Sequence, residues 1–298
     1  MEARGYHPRG GWRYHRTVSV DPRLDEARAA NRAHFARLVA RPDPEIELAR
    51  GALLIAADGR PEVDPDASIG ILDRIAERVR VRIDRGDPPS AVLDRLHDVL
   101  YREASFRPPA SAEYHDARNS LLDRVLVRRI GLPISLSIVE LEVAGRVGLS
   151  LWGIGLPGHF IVGGPGGLLI DPAGAGRRLR PDDCQALVRR ALGEGVLFHA
   201  GMLRPVGRRA ILARVLRNLR SVHLAKRDWP AALGVVELLG VVEPTDPEHR
   251  RDRALLLGRM GRFSEAIAGL TQYLEERPDG IDRADVRQVI GIFAGRRN

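Results

Sequence analysis

Two adjoining stretches decide the fold: RRIGLPISLSIVELEVAGRVGL, residues 128–149, and LWGIGLPGHFIVGGPGGLLIDPAG, residues 151–174. The first is an apolar run with Pro133 near its start, where a proline suits the first turn of a helix. Ser135 follows two positions later. The second breaks into the short apolar runs LWGIGL, HFIV and GLLID, separated by Gly and Pro, the pattern of buried strands. The chain therefore switches from helix to sheet near residue 150.

Helical patterns dominate upstream. VDPRLDEARAANRAHFARLVA begins with Asp21 as cap and Pro22 at the first helical position. PEIELARGALLIAADG stops at Gly59. PDASIGILDRIAERVRVRIDRG places apolar residues at 69, 71, 72, 75, 79 and 83, close to a helical stripe. PPSAVLDRLHDVLYRE and DARNSLLDRVLVRRIG follow, the latter with Asp116 as its cap. Residues 1–20, rich in Gly, Arg, Tyr and His without a period, are expected to form a disordered tail.

Downstream, PDDCQALVRRALGEG reads as a helix and VLFHAGMLRPV as a strand. RDWPAALGVVELLGVVEPTDP, from Arg227, then aligns with GRFSEAIAGLTQYLEERPDGI, from Gly261, at a shift of 34 residues. Trp229 falls on Phe263, Ala232 on Ala266, Val236 on Leu270 and Pro244 on Pro278. That period, with a small residue that lets two helices approach, resembles the tetratricopeptide repeat. IDRADVRQVIGIFAG is the expected capping helix.

The expected architecture is α+β and mostly helical, with four parts: a tail at 1–20, a helical N-terminal region at 21–115, a small antiparallel-sheet core at 116–206 and helical-hairpin repeats at 207–298.

Composition narrows the function. With 44% hydrophobic and 29% charged residues, the chain reads as globular. No apolar run approaches the roughly 18 residues of a membrane span, and the N-terminus lacks the apolar segment of a secretory signal, so a cytoplasmic location and no membrane partner are expected. The single cysteine, Cys184, precludes an intrachain disulfide and a cysteine-based zinc site. All but Lys226 of the 47 basic residues are Arg, and the net charge is +8. Their interspersion with acids, as in RIAERVRVRIDRGD, speaks against specific nucleic-acid binding. His97, His199, His223 and His249 are scattered with no carboxylate at metal-ligand spacing in the sequence, so no metal and no cofactor are expected. Gly174 and Gly176 lack the following Lys of a phosphate-binding loop.

Ser135, His159 and Asp171 carry the candidate chemistry. If GGPGG is the hairpin loop, Val162 pairs with Leu168, Ile161 with Leu169, Phe160 with Ile170 and His159 with Asp171. Directly opposite residues share a face with Cβ atoms about 5 Å apart, close enough for a carboxylate to orient an imidazole. Ser135 in a first helical turn feels the positive end of the helix dipole, which favours a thiolate nucleophile far more than a serine. Its plain alternative is capping or local hydrogen bonding. Cys184 sits beside Asp182 and Asp183, which oppose ionisation.

A nucleophile at a helix start, then a strand His, then a strand Asp followed by Pro, resembles the transglutaminase-like (papain-like) core. More closely, NSLLDRVLVRRIGLPISLSIVELEVAGRVGL, LPGHFIV and LLIDPAGAG resemble the SirB1 family. There this core follows a helical region and often precedes tetratricopeptide-like repeats. The resemblance spans roughly residues 30–290, with the motif block at 118–174. It implies a Cys-His-Asp triad whose His and Asp match His159 and Asp171, and whose nucleophile position holds Ser135. Two main readings follow, beside a third of a plain structural scaffold with no open cleft. One is a non-catalytic or weakly catalytic module with a vestigial site, binding a protein or peptide partner through the repeats. The other is an amide or ester hydrolase, or an acyl transferase, using Ser135, His159 and Asp171.

Overall fold

The computed structural model describes residues 22–277 and 279–297. The Asp21 cap, the tail at 1–20 and the aligned Pro278 lie outside the described residues.

Among the described residues, six α-helices precede the sheet: α1 (Pro22–Val39), α2 (Leu48–Ala57), α3 (Pro65–Arg80), α4 (Pro89–His97), α5 (Leu122–Arg128) and α6 (Pro133–Arg146). Asp64 caps α3 by accepting from the backbone N–H of Asp66 and Ala67. α4 runs on into a π-helical turn at Asp98–Glu103, a form that recurs at functional sites. Asp116 caps only a short 3-10 turn, Ala117–Asn119, so the helix expected from residue 116 starts later, at Leu122. α6 buries every residue from Pro133 to Glu140, and the main core closes around it.

The sheet comprises β1 (Trp152–Ile154), β2 (Ile161–Gly164), β3 (Leu168–Asp171), β4 (Arg177–Arg178) and β5 (Pro205–Val206), in the order β4-β3-β2-β1-β5 with every pair antiparallel. The helix α7 (Pro181–Leu192) lies between β4 and β5 in the chain. Of the run VLFHAGMLRPV only Pro205–Val206 is strand. Ala200–Leu203 forms a 3-10 turn instead, closed by the Met202 N–H on the His199 carbonyl at 2.9 Å.

Side chains alternate across the sheet. Ile154, Ile161 and Leu169 pack with Cys184 and Val188 of α7. Val162 and Ile170 pack with Leu93 of α4 on the opposite side.

The hairpin register differs from the expected one by two residues. Gly164 pairs with Leu168, Gly163 with Leu169 and Val162 with Ile170. The loop is Pro165–Gly167 rather than five residues, because the flexible glycines 163 and 164 extend the strand instead of turning. A shift of two keeps every side chain on its face.

α8 (Arg208–Lys226), α9 (Trp229–Val242), α10 (Glu248–Arg259), α11 (Phe263–Glu276) and α12 (Arg283–Ala294) complete the chain. Ala232 and Ala266 are fully buried in the cluster that α9 to α12 share. α8 belongs to the main core instead: Ile211, Leu212, Val215 and Leu216 pack with residues of α1, α2, α3 and α6. A Cβ at Gly51 of α2 would stand 2.7 Å from Leu212, so the two helices touch there. Asp43 caps α8 from outside, accepting from the N–H groups of Arg208 and Arg209 at 2.8 and 2.9 Å. No helix among the described residues is long and apolar enough to cross a membrane.

Candidate functional site

Each candidate residue is positioned by a different device. The N-cap of α6 is Leu132, whose N–H donates to the Asn119 carbonyl at 3.0 Å. Leu132 has no side chain able to cap, and Pro133 has no N–H to satisfy. Ser135 is the third helical residue, 1% exposed, and its buried Oγ makes no hydrogen bond. The local bond expected of Ser135 is made by Ser137 instead, which donates to the Pro133 carbonyl at 2.8 Å.

His159 sits in the turn before β2. Gly158 has φ +71, and a Cβ there would meet Ala191 of α7 at 2.2 Å, so only glycine fits. Arg214 of α8 reaches into the turn. Its Nη2 donates to the carbonyls of Leu156 and His159 at 2.8 and 2.7 Å, and its guanidinium lies 5.4 Å from the centre of the Phe160 ring. Burial pulls the Arg214 pKa down.

Asp171 ends β3, 5% exposed. Its Oδ1 lies 2.9 Å from His159 Nε2 and also accepts from the Ala173 N–H at 3.1 Å. One carboxylate therefore orients the imidazole and caps the turn after β3. His159 and Asp171 are brought together, and among the described residues no hydrogen bond links the Ser135 Oγ to either. A His–Asp pair is the base half of a nucleophilic triad.

A second imidazole–carboxylate pair lies behind the first. Glu140 of α6 is fully buried. His97 Nε2 is 3.1 Å from its Oε1, and the Tyr101 hydroxyl donates to its Oε2. Burial and the Glu140 and Asp171 charges hold the Tyr101 phenol well above its ordinary range. Gly176, at φ +76, packs against His97 and Tyr101, each 2.8 Å from where its Cβ would be. The glycine loop after Asp171 is thus gripped by Asp171 on one side and this cluster on the other. Sequence reasoning missed His97, Tyr101, Glu140 and Arg214. A carboxylate inside the apolar run ISLSIVELEV was the available signal, since a buried charge needs partners.

The other histidines are also less isolated than their spacing implied. His223 Nδ1 is 3.5 Å from Asp228. Glu243, Asp246 and His249 converge, their ligand atoms all within 4.8 Å of one another. The chain turn between α9 and α10 folds them together, which linear spacing did not reveal. Arg217 already binds both Glu243 oxygens at 2.6 Å, and Asp246 caps the start of α10 through the Glu248 N–H. The trio clips α9 to α10. Cys184 is fully buried, and burial with the Asp183 and Asp171 charges pushes its thiol up to about 11.

The Transglutaminase-like superfamily matches residues 67–217. The chain belongs to that superfamily. The Tetratricopeptide repeat matches residues 219–291, beginning within α8. A UPF0162 protein of Xylella fastidiosa (strain 9a5c) is 34% identical over 242 residues, covering 79% of this chain and 86% of the relative. The UPF0162 protein of Pseudomonas aeruginosa is 34% identical over 212 residues, covering 68% and 76%. F-box only protein 21 of Homo sapiens is 33% identical over 150 residues, covering 47% of this chain and 22% of that protein.

Proposed function

We propose that this is a SirB1-type cytoplasmic protein whose transglutaminase-like core is non-catalytic or weakly catalytic and serves as a protein-interaction module, with the repeats as partner surface. The observation that carries the reading is Ser135: buried, without a hydrogen bond, and so without a base. Helix-dipole stabilisation, about 0.3–1 kcal/mol, is less than the roughly 1.4 kcal/mol that one pKa unit requires. It cannot supply a serine alkoxide at neutral pH, and the absence of a hydrogen bond at the Ser135 Oγ supports the reading that no base activates it. The repeats support the partner role with a cavity of about 330 Å³ between α8, α9 and α10, lined by Arg220, Leu224, Trp229, Asp252 and Arg259. The parts at 21–115, 116–206 and 207–298 divide the chain by task, with α8 shared between core and repeats.

The rival reading is an amide or ester hydrolase or an acyl transferase, favoured by the His159–Asp171 contact of 2.9 Å. Labelling with a serine-directed fluorophosphonate separates the two. The interaction-module reading expects no labelling of wild type, and a folded Ser135→Ala with unchanged partner capture. Stoichiometric labelling that disappears in Ser135→Ala would establish the rival. In Ser135→Cys, iodoacetamide reactivity below pH 7 that exceeds that of Cys184 and is slowed by His159→Ala would show a poised imidazole beneath a lost nucleophile.

A further inference from the structure

Among the described residues, Arg129 is a cation without an anion. It ends α5 in the left-handed conformation, φ 59, and its backbone is fixed on both sides: its N–H donates to the Val125 carbonyl at 2.8 Å, and its carbonyl accepts from the Arg107 N–H at 3.0 Å. Its guanidinium lies 4.8 Å from the centre of the Phe106 ring, a residue 2% exposed. Nη1 is buried and makes no hydrogen bond. A buried donor left unpaired costs about 1–3 kcal/mol, more for a charged group, so an anionic acceptor brought to it would be favoured.

The surroundings add charge of the same sign. α3 packs on α5 and carries Arg74 and Arg78, one turn apart and both exposed. Burial lowers the Arg129 pKa, and the charges that add to this effect are Arg78 and Arg74, with no carboxylate offsetting them. Glu103, the acid at this corner, is occupied: Arg78 Nη2 donates to it at 2.6 Å, and Arg82 pairs with both its oxygens. Arg74 has no ion pair among the described residues. Arg78 and Arg82 thus share Glu103, and Arg74 and Arg129 have no carboxylate partner among the described residues.

We propose that Arg74, Arg78 and Arg129 form a binding site for a phosphate monoester group. The charge excess selects the ligand. A phosphate ester carries about −1.5 to −2 at neutral pH and offers three acceptor oxygens, whereas a carboxylate brings one charge and two oxygens. Guanidinium forks match phosphate oxygens in plane and pair with them bidentately. The two exposed arginines on α3 steer the anion, and Arg129, its guanidinium over the Phe106 ring, supplies the unpaired donor that anchors it. The site is separate from His159 and Asp171, so it stands or falls independently of what Ser135 does.

The test measures binding to the full chain at low, matched ionic strength, because screening weakens surface charge interactions. The probes are inorganic phosphate, a phosphoserine peptide, its unphosphorylated counterpart and acetate. The expected result is saturable binding of phosphate, of the phosphoserine peptide, or of both, with at least a roughly tenfold preference over acetate and the unphosphorylated peptide, a difference of about 1.4 kcal/mol. Binding of phosphate identifies the free group as sufficient; binding of the peptide alone places the phosphate on a partner protein. Arg129→Gln should abolish binding. Arg74→Gln, a change at an exposed helix position that leaves the core intact, should weaken it several-fold, while Arg217→Gln, whose charge is paired with Glu243, should not. No saturable binding of either phosphate probe overturns the proposal. So does binding that survives Arg129→Gln and Arg74→Gln, or acetate binding as tightly as phosphate.

Discussion

His159 and Asp171 meet at the open end of the β2–β3 hairpin, Nε2 2.9 Å from Oδ1, although they are not partners in the strand ladder. Extending the observed register would set Ile161 opposite Asp171, with His159 two residues further on and outside β2. The contact is therefore diagonal, made by the long imidazole leaning from the Arg214-clamped turn, and it exists because residues two apart share a face.

The shared use of Asp171 Oδ1 leads to the first prediction. Asp171→Ala removes both the imidazole partner and the cap on the Ala173 N–H, and should cost about 1–3 kcal/mol in denaturant unfolding. Asp171→Asn retains a carbonyl oxygen for the cap and should lose less than half as much. Equal losses in the two variants would mean that the imidazole contact alone carries the energy.

Ser135 gives the second. A buried hydroxyl with no partner is already desolvated without compensation, so Ser135→Ala should leave stability unchanged or raise it by up to about 1–3 kcal/mol. A clear destabilisation would reveal a bond to the hydroxyl that the geometry does not contain.

Both residues were legible in the sequence, and the difference between what could and could not be read is physical. Helix and strand periods are local, so α3, α6, β3 and the repeats stand out in the chain; the face shared by His159 and Asp171 survives a register error of two because strands alternate with period two. The register itself depended on whether Gly163 and Gly164 turn or extend, and glycine permits either. His97, Glu140 and Arg214 lie 43 and 55 residues from their partners Glu140, His97 and His159. Only the packing of α4, α6 and α8 brings them there. The Glu243–Asp246–His249 trio was missed for a different reason: its spacing is short, but the turn that closes it has no period to read.

The third prediction tests the repeat packing. Ala266 is fully buried, and a Cβ on Gly258 of α10 would stand 2.1 Å from the Phe293 ring. Ala266→Leu should overpack the hairpin and cost about 1–3 kcal/mol, and Gly258→Ala should destabilise by displacing Phe293. Melting curves that coincide with wild type for Ala266→Leu would remove the basis for aligning Ala232 with Ala266.

Cys184 supplies the last prediction, an alkaline one. Its thiol is pushed from 9.0 up to about 11, first by burial and then by the Asp183 and Asp171 charges. Below about pH 9 the thiol is protonated in both folded and unfolded chains, and its contribution to stability is fully present. As pH rises from about 9 to 11, the unfolded chain ionises while the folded chain does not, so the unfolded state binds fewer protons and stability falls. Above about pH 11 both ionise and the contribution is gone. The whole effect is of the order of 2–3 kcal/mol, given about 1.4 kcal/mol per pKa unit. Tyr101 also titrates late in the folded chain, so wild type must be compared with Cys184→Ala at each pH: the cavity left by the lost sulfur offsets the curve by a constant, and only the thiol changes its slope. The stability difference between the two should be flat below about pH 9 and should move in favour of Cys184→Ala between about pH 9 and 11. A difference that stays constant through that window would mean that Cys184 ionises in the folded protein as readily as in the unfolded one, and that the wall of Val188, Leu169 and Ile161 around it is open to water.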